Sequence, residues 1–103
     1  MVDITYHNGA VTAKLIGEID HHIAPSIRGE IDAFCESYRP ARLILDFGKV
    51  GFMDSSGIAV IVRLSQRMKE LGGRLWLEKP LGQPKRVIET AGIDRLAPVA
   101  ITR

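Results

Sequence analysis

Two short runs hold the side chains most able to do chemistry: Asp54-Ser55-Ser56-Gly57 and Asp20-His21-His22. The first falls where the chain changes period. Before it, Arg42-Leu43-Ile44-Leu45-Asp46-Phe47 is a short apolar run bounded by Arg39 and Pro40 on one side and Gly48 on the other, the mark of a buried strand. After it, apolar side chains recur at Ile58, Ile61, Val62, Met68 and Leu71, with Ser65 the polar exception, which is helical spacing. A helix start needs side-chain oxygens for its free N–H groups, so capping is the simplest role for Asp54 and Ser55. Two features ask for more. There are two serines and an acid where one cap suffices. Gly57 also sits in the first turn, at a cost of about 0.5–1 kcal/mol relative to Ala. A glycine there would keep the surface low, so that something large could approach a serine. A phosphoryl group on Ser55 or Ser56 would lie at the positive end of the helix dipole, which favours it by about 0.3–1 kcal/mol.

Asp20-His21-His22 offers three metal ligands in a row, but chain neighbours rarely converge on one ion. No second cluster of acids or histidines completes a coordination set. A Ser-His-Asp hydrolase built on Ser55 and His21 or His22 would need a nucleophile elbow with flanking glycines and an oxyanion loop, and the sequence has neither. Cys35 excludes an internal disulfide and a cysteine zinc site, being alone. It borders an apolar stripe and is expected to be a buried structural thiol. The residues therefore predict no catalytic group, no metal and no cofactor.

The chain as a whole narrows the class further. Its 103 residues predict a single domain over 1–103, with one modest core. Hydrophobic content of 46% and charged content of 25% are ordinary for a globular protein. No apolar run approaches the ~20 residues of a membrane span. Met1-Val2-Asp3-Ile4 does not begin a signal peptide. A cytoplasmic protein without a membrane partner is expected. A net charge of +2, dispersed basic residues and 6% aromatics argue against direct nucleic-acid binding.

The elements that must position the two runs follow in order. Ile4 to His7 and Ala10 to Ile19 form a hairpin across Asn8-Gly9, a pair suited to the positive φ of a type I′ turn. Val11, Ala13 and Leu15 share one face. Pro25 opens a helix whose stripe is Ile27, Ile31, Phe34 and Tyr38, with Arg28, Glu30, Asp32 and Glu36 in solvent. After the central strand and helix, Gly72-Gly73 stops the helix. Arg74 to Glu78 is the next strand, with Trp76 facing away from Leu75 and Leu77. Pro84 opens a third helix with Val87, Ile88 and Ala91 inward and Lys85 and Arg86 outward, stopped by Gly92. Ile93 and Leu96 pack beyond it, and Val99-Ala100-Ile101 is a last strand. The order β-β-α-β-α-β-α-β predicts an α/β fold with one mixed, mostly parallel sheet and helices packed against it. The turns after Ile19 and before Ser55 then open on the same edge, which places Asp20 near Ser55. Such strand ends are where sites gather in open α/β sheets.

With both runs in place, the sequence resembles a STAS domain of the bacterial anti-sigma factor antagonist family. Gly17-Glu18-Ile19-Asp20-His21-His22 and Phe52-Met53-Asp54-Ser55-Ser56-Gly57 carry the likeness, and Gly72-Gly73 and Ala91-Gly92-Ile93 agree with it. One position departs: Ile23, with Pro25 close behind, stands where relatives often carry a Thr or Ser cap. The resemblance implies a STAS fold and a protein-binding switch that is not itself an enzyme. It implies phosphorylation of Ser55, with Asp20, Asp54, Ser56 and Gly57 as its neighbourhood. The implied partners are an anti-sigma factor that is also a serine kinase and supplies ATP, and a phosphoserine phosphatase. Unphosphorylated, the antagonist would bind the kinase and free a sigma factor; phosphorylated, it would release the kinase. Arg63 and Arg67 are either rim contacts for that partner or a solvated face. The alternative is a STAS subunit of a lipid-transport or stress-signalling assembly that works without a phosphoswitch.

Overall fold

The computed structural model describes residues 1–95 and 99–102. Five strands make one sheet: β1 (Val2–His7), β2 (Ala10–Ile19), β3 (Arg42–Met53), β4 (Arg74–Glu78) and β5 (Val99–Thr102), side by side in that order. β1 is antiparallel to β2, and every later pair is parallel. Three helices connect them: α1 (Ala24–Tyr38), α2 (Ser55–Glu70) and α3 (Gly82–Thr90), followed by a 3-10 turn at Ile93–Arg95. Among the described residues no helix is long and apolar enough to cross a membrane.

The hairpin forms as its turn residues require. Asn8 and Gly9 both take positive φ, at 49° and 78°, and His7 pairs with Ala10. Val11, Ala13 and Leu15 of β2 are buried, with Leu43, Leu45, Leu75 and Leu77 beside them in the core. By the alternation of a strand, Thr12 and Lys14 point to the other face, as Trp76 does relative to Leu75 and Leu77.

β3 is longer than its apolar run suggests. It passes Gly48 and ends only at Met53, because β2 continues to pair with it as far as Ile19. The pairing slips twice on the way, between Lys14 and Ile16 and between Gly17 and Glu18. Two devices absorb the slips. Gly17 takes φ +95°, open to glycine without steric cost. The Gly48 N–H donates to Asp46 Oδ1 at 2.8 Å, so the irregular backbone keeps a partner.

The helices bury neighbouring but shifted stripes. In α2 the fully buried side chains are Val60, Ile61, Leu64, Ser65 and Met68, whereas Ile58, Val62 and Leu71 are only half-buried. The stripe predicted from Ile58 and Val62 is displaced toward Val60 and Leu64, since α2 packs against α1 as well as against the sheet. In α1 the core takes Ala24, Ile27, Ile31 and Cys35. Phe34 is half-buried and Tyr38 exposed; Tyr38 stacks on Tyr6 with ring centroids 4.7 Å apart. Cys35 has no exposed surface, and its burial raises the thiol pKa to about 11. α3 begins at Gly82, two residues before Pro84, with Gly82 at φ +56°. Pro84 and Ile88 are buried, but Ala91 lies outside α3 and is exposed. Ile93 is buried as expected; Leu96 lies outside the described residues.

α2 stops in a Schellman arrangement. Gly73 N–H donates to Met68 O at 2.8 Å and Gly72 N–H to Lys69 O at 3.2 Å, with Gly72 at φ +80°. A Cβ on Gly73 would stand 2.8 Å from the Pro40 carbonyl oxygen and 2.9 Å from that of Ala41. Gly73→Ala should therefore destabilise the fold by about 1–3 kcal/mol. Gly29, inside α1, has open space around it, so Gly29→Ala should stabilise by about 0.5–1 kcal/mol. Urea melts of the two variants are expected to shift in opposite directions.

Candidate functional site

The site lies where β2 and β3 end together. Ile19 pairs with Met53, and the Asp54 N–H donates to Ile19 O at 3.1 Å. That bond joins the turn holding Asp20 to the turn holding Ser55, as the topology predicts.

Asp54 is the N-cap of α2. Its backbone is extended (φ −95°, ψ −170°), and its Oδ1 accepts the Ser56 N–H at 2.8 Å while its carbonyl accepts the Gly57 N–H at 3.0 Å. The cap is thus filled by the acid, and no serine hydroxyl is spent on it. Ser55 is the first helical residue and is exposed; Ser56 is half-buried.

Gly57 faces inward. A Cβ there would fall 2.1 Å from Met53 Cγ and 2.4 Å from its Sδ. The expectation that Gly57 lowers the surface beside a serine is corrected: it lowers the first turn of α2 onto the end of β3. The same close approach fixes how Ser55 leaves the sheet.

Met53 is held from a second side. Gln83, at the start of α3, accepts the Met53 N–H on Oε1 at 2.8 Å and donates from Nε2 to Met53 O at 2.9 Å. The side-chain amide mimics a neighbouring strand for one residue, immediately before Asp54. The sequence offers no sign of this role. Gln83 is 30 residues away and looks like an ordinary residue of a helix start.

Asp20 shapes its own turn. Its Oδ1 accepts the N–H of His22 at 2.9 Å and of Ile23 at 3.1 Å. Ile23 itself caps α1 without a side-chain hydrogen bond. The Thr or Ser missing at that position is replaced by a carboxylate three residues earlier. The Ile23 N–H first, then the His22 N–H and the charges of His22 and His21, hold the Asp20 carboxyl below its usual 3.8. The His21 and His22 rings lie 4.1 Å apart. Among the described residues no group of three His, Cys, Asp or Glu side chains is gathered to hold a metal ion.

Two recesses flank the start of α2. An apolar one of about 560 Å³ lies toward α3, lined by Phe52, Ser55, Ile58, Arg86 and Val87 among others. Phe52 is 42% exposed at its edge. A basic one of about 270 Å³ lies toward α1, lined by His21, Arg28, Ser56 and Arg63 over Ala24 and Val60. Arg28, expected in the solvated face of α1, is half-buried there. The two arginines of α2 have different fates. Arg67 bonds Asp32 at 2.9 Å and also Glu36 and Glu70, tying α2 to α1, so it is structural. Arg63 stays at the rim of the basic recess.

A family model described as the STAS domain matches residues 1–102. The chain belongs to the STAS domain family. Curated relatives of this STAS domain include an anti-sigma F factor antagonist of Paenibacillus polymyxa, 24% identical over 95% of this chain and 84% of the relative. An anti-sigma-B factor antagonist of Bacillus subtilis (strain 168) is 27% identical over 96% of this chain and 89% of the relative. Among solved structures, the Bacillus cell fate determinant SpoIIAA in its phosphorylated form shares the fold with a TM-score of 0.75. It is 23% identical and covers 100% of this chain and 92% of that one.

Replacing Gln83 by Met removes both bonds to Met53 while keeping most of the volume. This should destabilise the domain by about 1–3 kcal/mol, and amide exchange at Asp54 and Ser55 should rise more than at the middle of β3. A depressed carboxyl stabilises the fold above its unfolded pKa and loses that contribution as pH falls through the folded value. Lowering pH below about 3.8 should therefore loosen the Asp20 turn. A carbon-detected NMR titration should place its folded pKa below that value, and Asp20→Asn should remove that step.

Proposed function

We propose that this STAS domain is an anti-sigma factor antagonist that switches partners by phosphorylation of Ser55. The observation that carries the reading is the division of labour at the start of α2. Asp54 caps the helix, which leaves the exposed Ser55 hydroxyl at its first position. The names of the relatives support the same role. So does the phosphorylated form of SpoIIAA, whose fold this chain shares.

The partner is an anti-sigma factor that is also a serine kinase and brings its own ATP; a phosphoserine phosphatase resets the switch. The antagonist turns over no substrate and acts in the cytoplasm. Phosphorylation adds about −1.5 to −2 charge and strong acceptor oxygens. At a helix N-terminus that charge is tolerated, so the helix persists. The effect falls on the partner face, where a dianion loses its water against an acidic or apolar surface. A penalty of about 3–4 kcal/mol would weaken binding several-hundredfold. Phe52 and the apolar recess beside Ser55 supply a surface on which such a loss is felt.

The test compares wild type, Ser55→Ala and Ser55→Asp by native co-purification and intact mass, with and without phosphatase. Wild type should carry a phosphate that Ser55→Ala lacks. Ser55→Ala should retain a kinase-like anti-sigma factor that Ser55→Asp loses. Three unmodified forms that retain the same transporter or scaffold subunits would instead establish a STAS subunit without a phosphoswitch.

A further inference from the structure

The basic recess between α1 and α2 has a charge that the fold leaves unanswered. Arg28 comes from α1, Arg63 from α2 and His21 from the turn ahead of α1, and all three line one hollow with the Ser56 side chain. Among the described residues neither Arg28 nor Arg63 has an acidic partner within ion-pair distance. Arg67, one helical turn beyond Arg63, shows what neutralisation looks like here, with Asp32, Glu36 and Glu70 all bonded to it. Asp32 and Glu70 line the neighbouring recess, which Arg28 and Arg63 also border. They are held there by Arg67. The groove between the two helices is therefore basic at the Ser55 end, over an apolar floor that includes Ala24 and Val60, and carries charges of both signs at the far end.

A protein that covers Ser55 also meets the residue after it, and Ser56 opens into the basic recess. Enclosing two unanswered guanidinium groups strips them of water, which is unfavourable unless an anion comes with the enclosing surface. Arginine answers carboxylates with two parallel hydrogen bonds, and two arginines on facing helices bracket one such group. We propose that this recess receives an acidic segment of the protein that covers Ser55, its carboxylates held between Arg28 and Arg63. The identity of that protein rests on the function proposed above. The charge pattern of the recess does not, so its test leaves Ser55 untouched.

The full chain, labelled with 15N, is titrated at low salt with a capped tetraglutamate peptide. Amides of Ser56, Ala59 and Arg63 and the Arg Nε–H signals are followed. Saturable shifts are expected at these positions. Arg63→Gln and Arg28→Gln should each weaken the peptide about fivefold or more, while Lys14→Gln should change it less than about twofold. Lys14 carries the same charge on the opposite face of the sheet, and the exposure of Arg63 keeps its variant folded. The proposal is overturned if Lys14→Gln weakens the peptide as much as Arg63→Gln does. It is equally overturned if no saturable shift appears up to about millimolar peptide, or if inorganic phosphate fills the recess at lower concentration than the peptide. An unphosphorylated Ser55 would refute the phosphoswitch and leave this result standing. A silent recess would refute the acidic segment and leave the phosphoswitch standing.

Discussion

One hydrogen bond, from the Asp54 N–H to the Ile19 carbonyl, joins two turns that are far apart in the chain. It can form only if β2 and β3 stay paired to their last residues. That in turn requires the strands to absorb two slips of register without parting. Gly17 and the Asp46 carboxylate do so, the one by its positive φ and the other by taking the Gly48 N–H. Had β3 ended at Gly48, the Asp20 turn and the Ser55 turn would have no common edge.

The end of β3 is gripped three ways, and each grip is of a different kind. Ile19 supplies the pairing, Gln83 supplies an amide that imitates a strand, and Gly57 supplies absence of bulk above the Met53 side chain. These restraints lie on the residue before Asp54. The serine itself is left outside them, exposed on a helix start whose free N–H groups are served by its neighbour. The result is a rigid base with a free tip: the hydroxyl can be covered or uncovered without disturbing the strand end beneath it.

Much of this was legible before any coordinates. The hairpin rests on Asn8-Gly9, the buried strand on Leu43 to Phe47, and the helix stop on Gly72-Gly73, all local signals with local causes. That the turns holding Asp20 and Ser55 open on one edge followed from topology, since parallel strands joined by crossovers must end on one side. What escaped was set by distance. The side-chain amide of Gln83 acts 30 residues from its own position. The stripe of α2 turned toward Val60 and Leu64 because two neighbours, α1 and the sheet, claim it. The sequence marks Gly57 but not its direction, since spacing along a helix does not say which side the strand end will occupy. Arg63 and Arg67 looked alike in sequence and differ only because Asp32, Glu36 and Glu70 converge on the second.

Ser55 and Ser56 are chemically the same nucleophile, one residue apart. Successive residues on a helix point about 100° apart, and here that rotation puts one hydroxyl on the apolar recess and the other in the basic one. Anything that approaches this turn meets the two hydroxyls from different sides, one beside Phe52 and Ile58 and the other beside Arg28 and Arg63. Any choice between the two serines is thereby a matter of geometry, and a rotation of the first turn of α2 by a single residue, about 100°, would carry one hydroxyl into the place of the other.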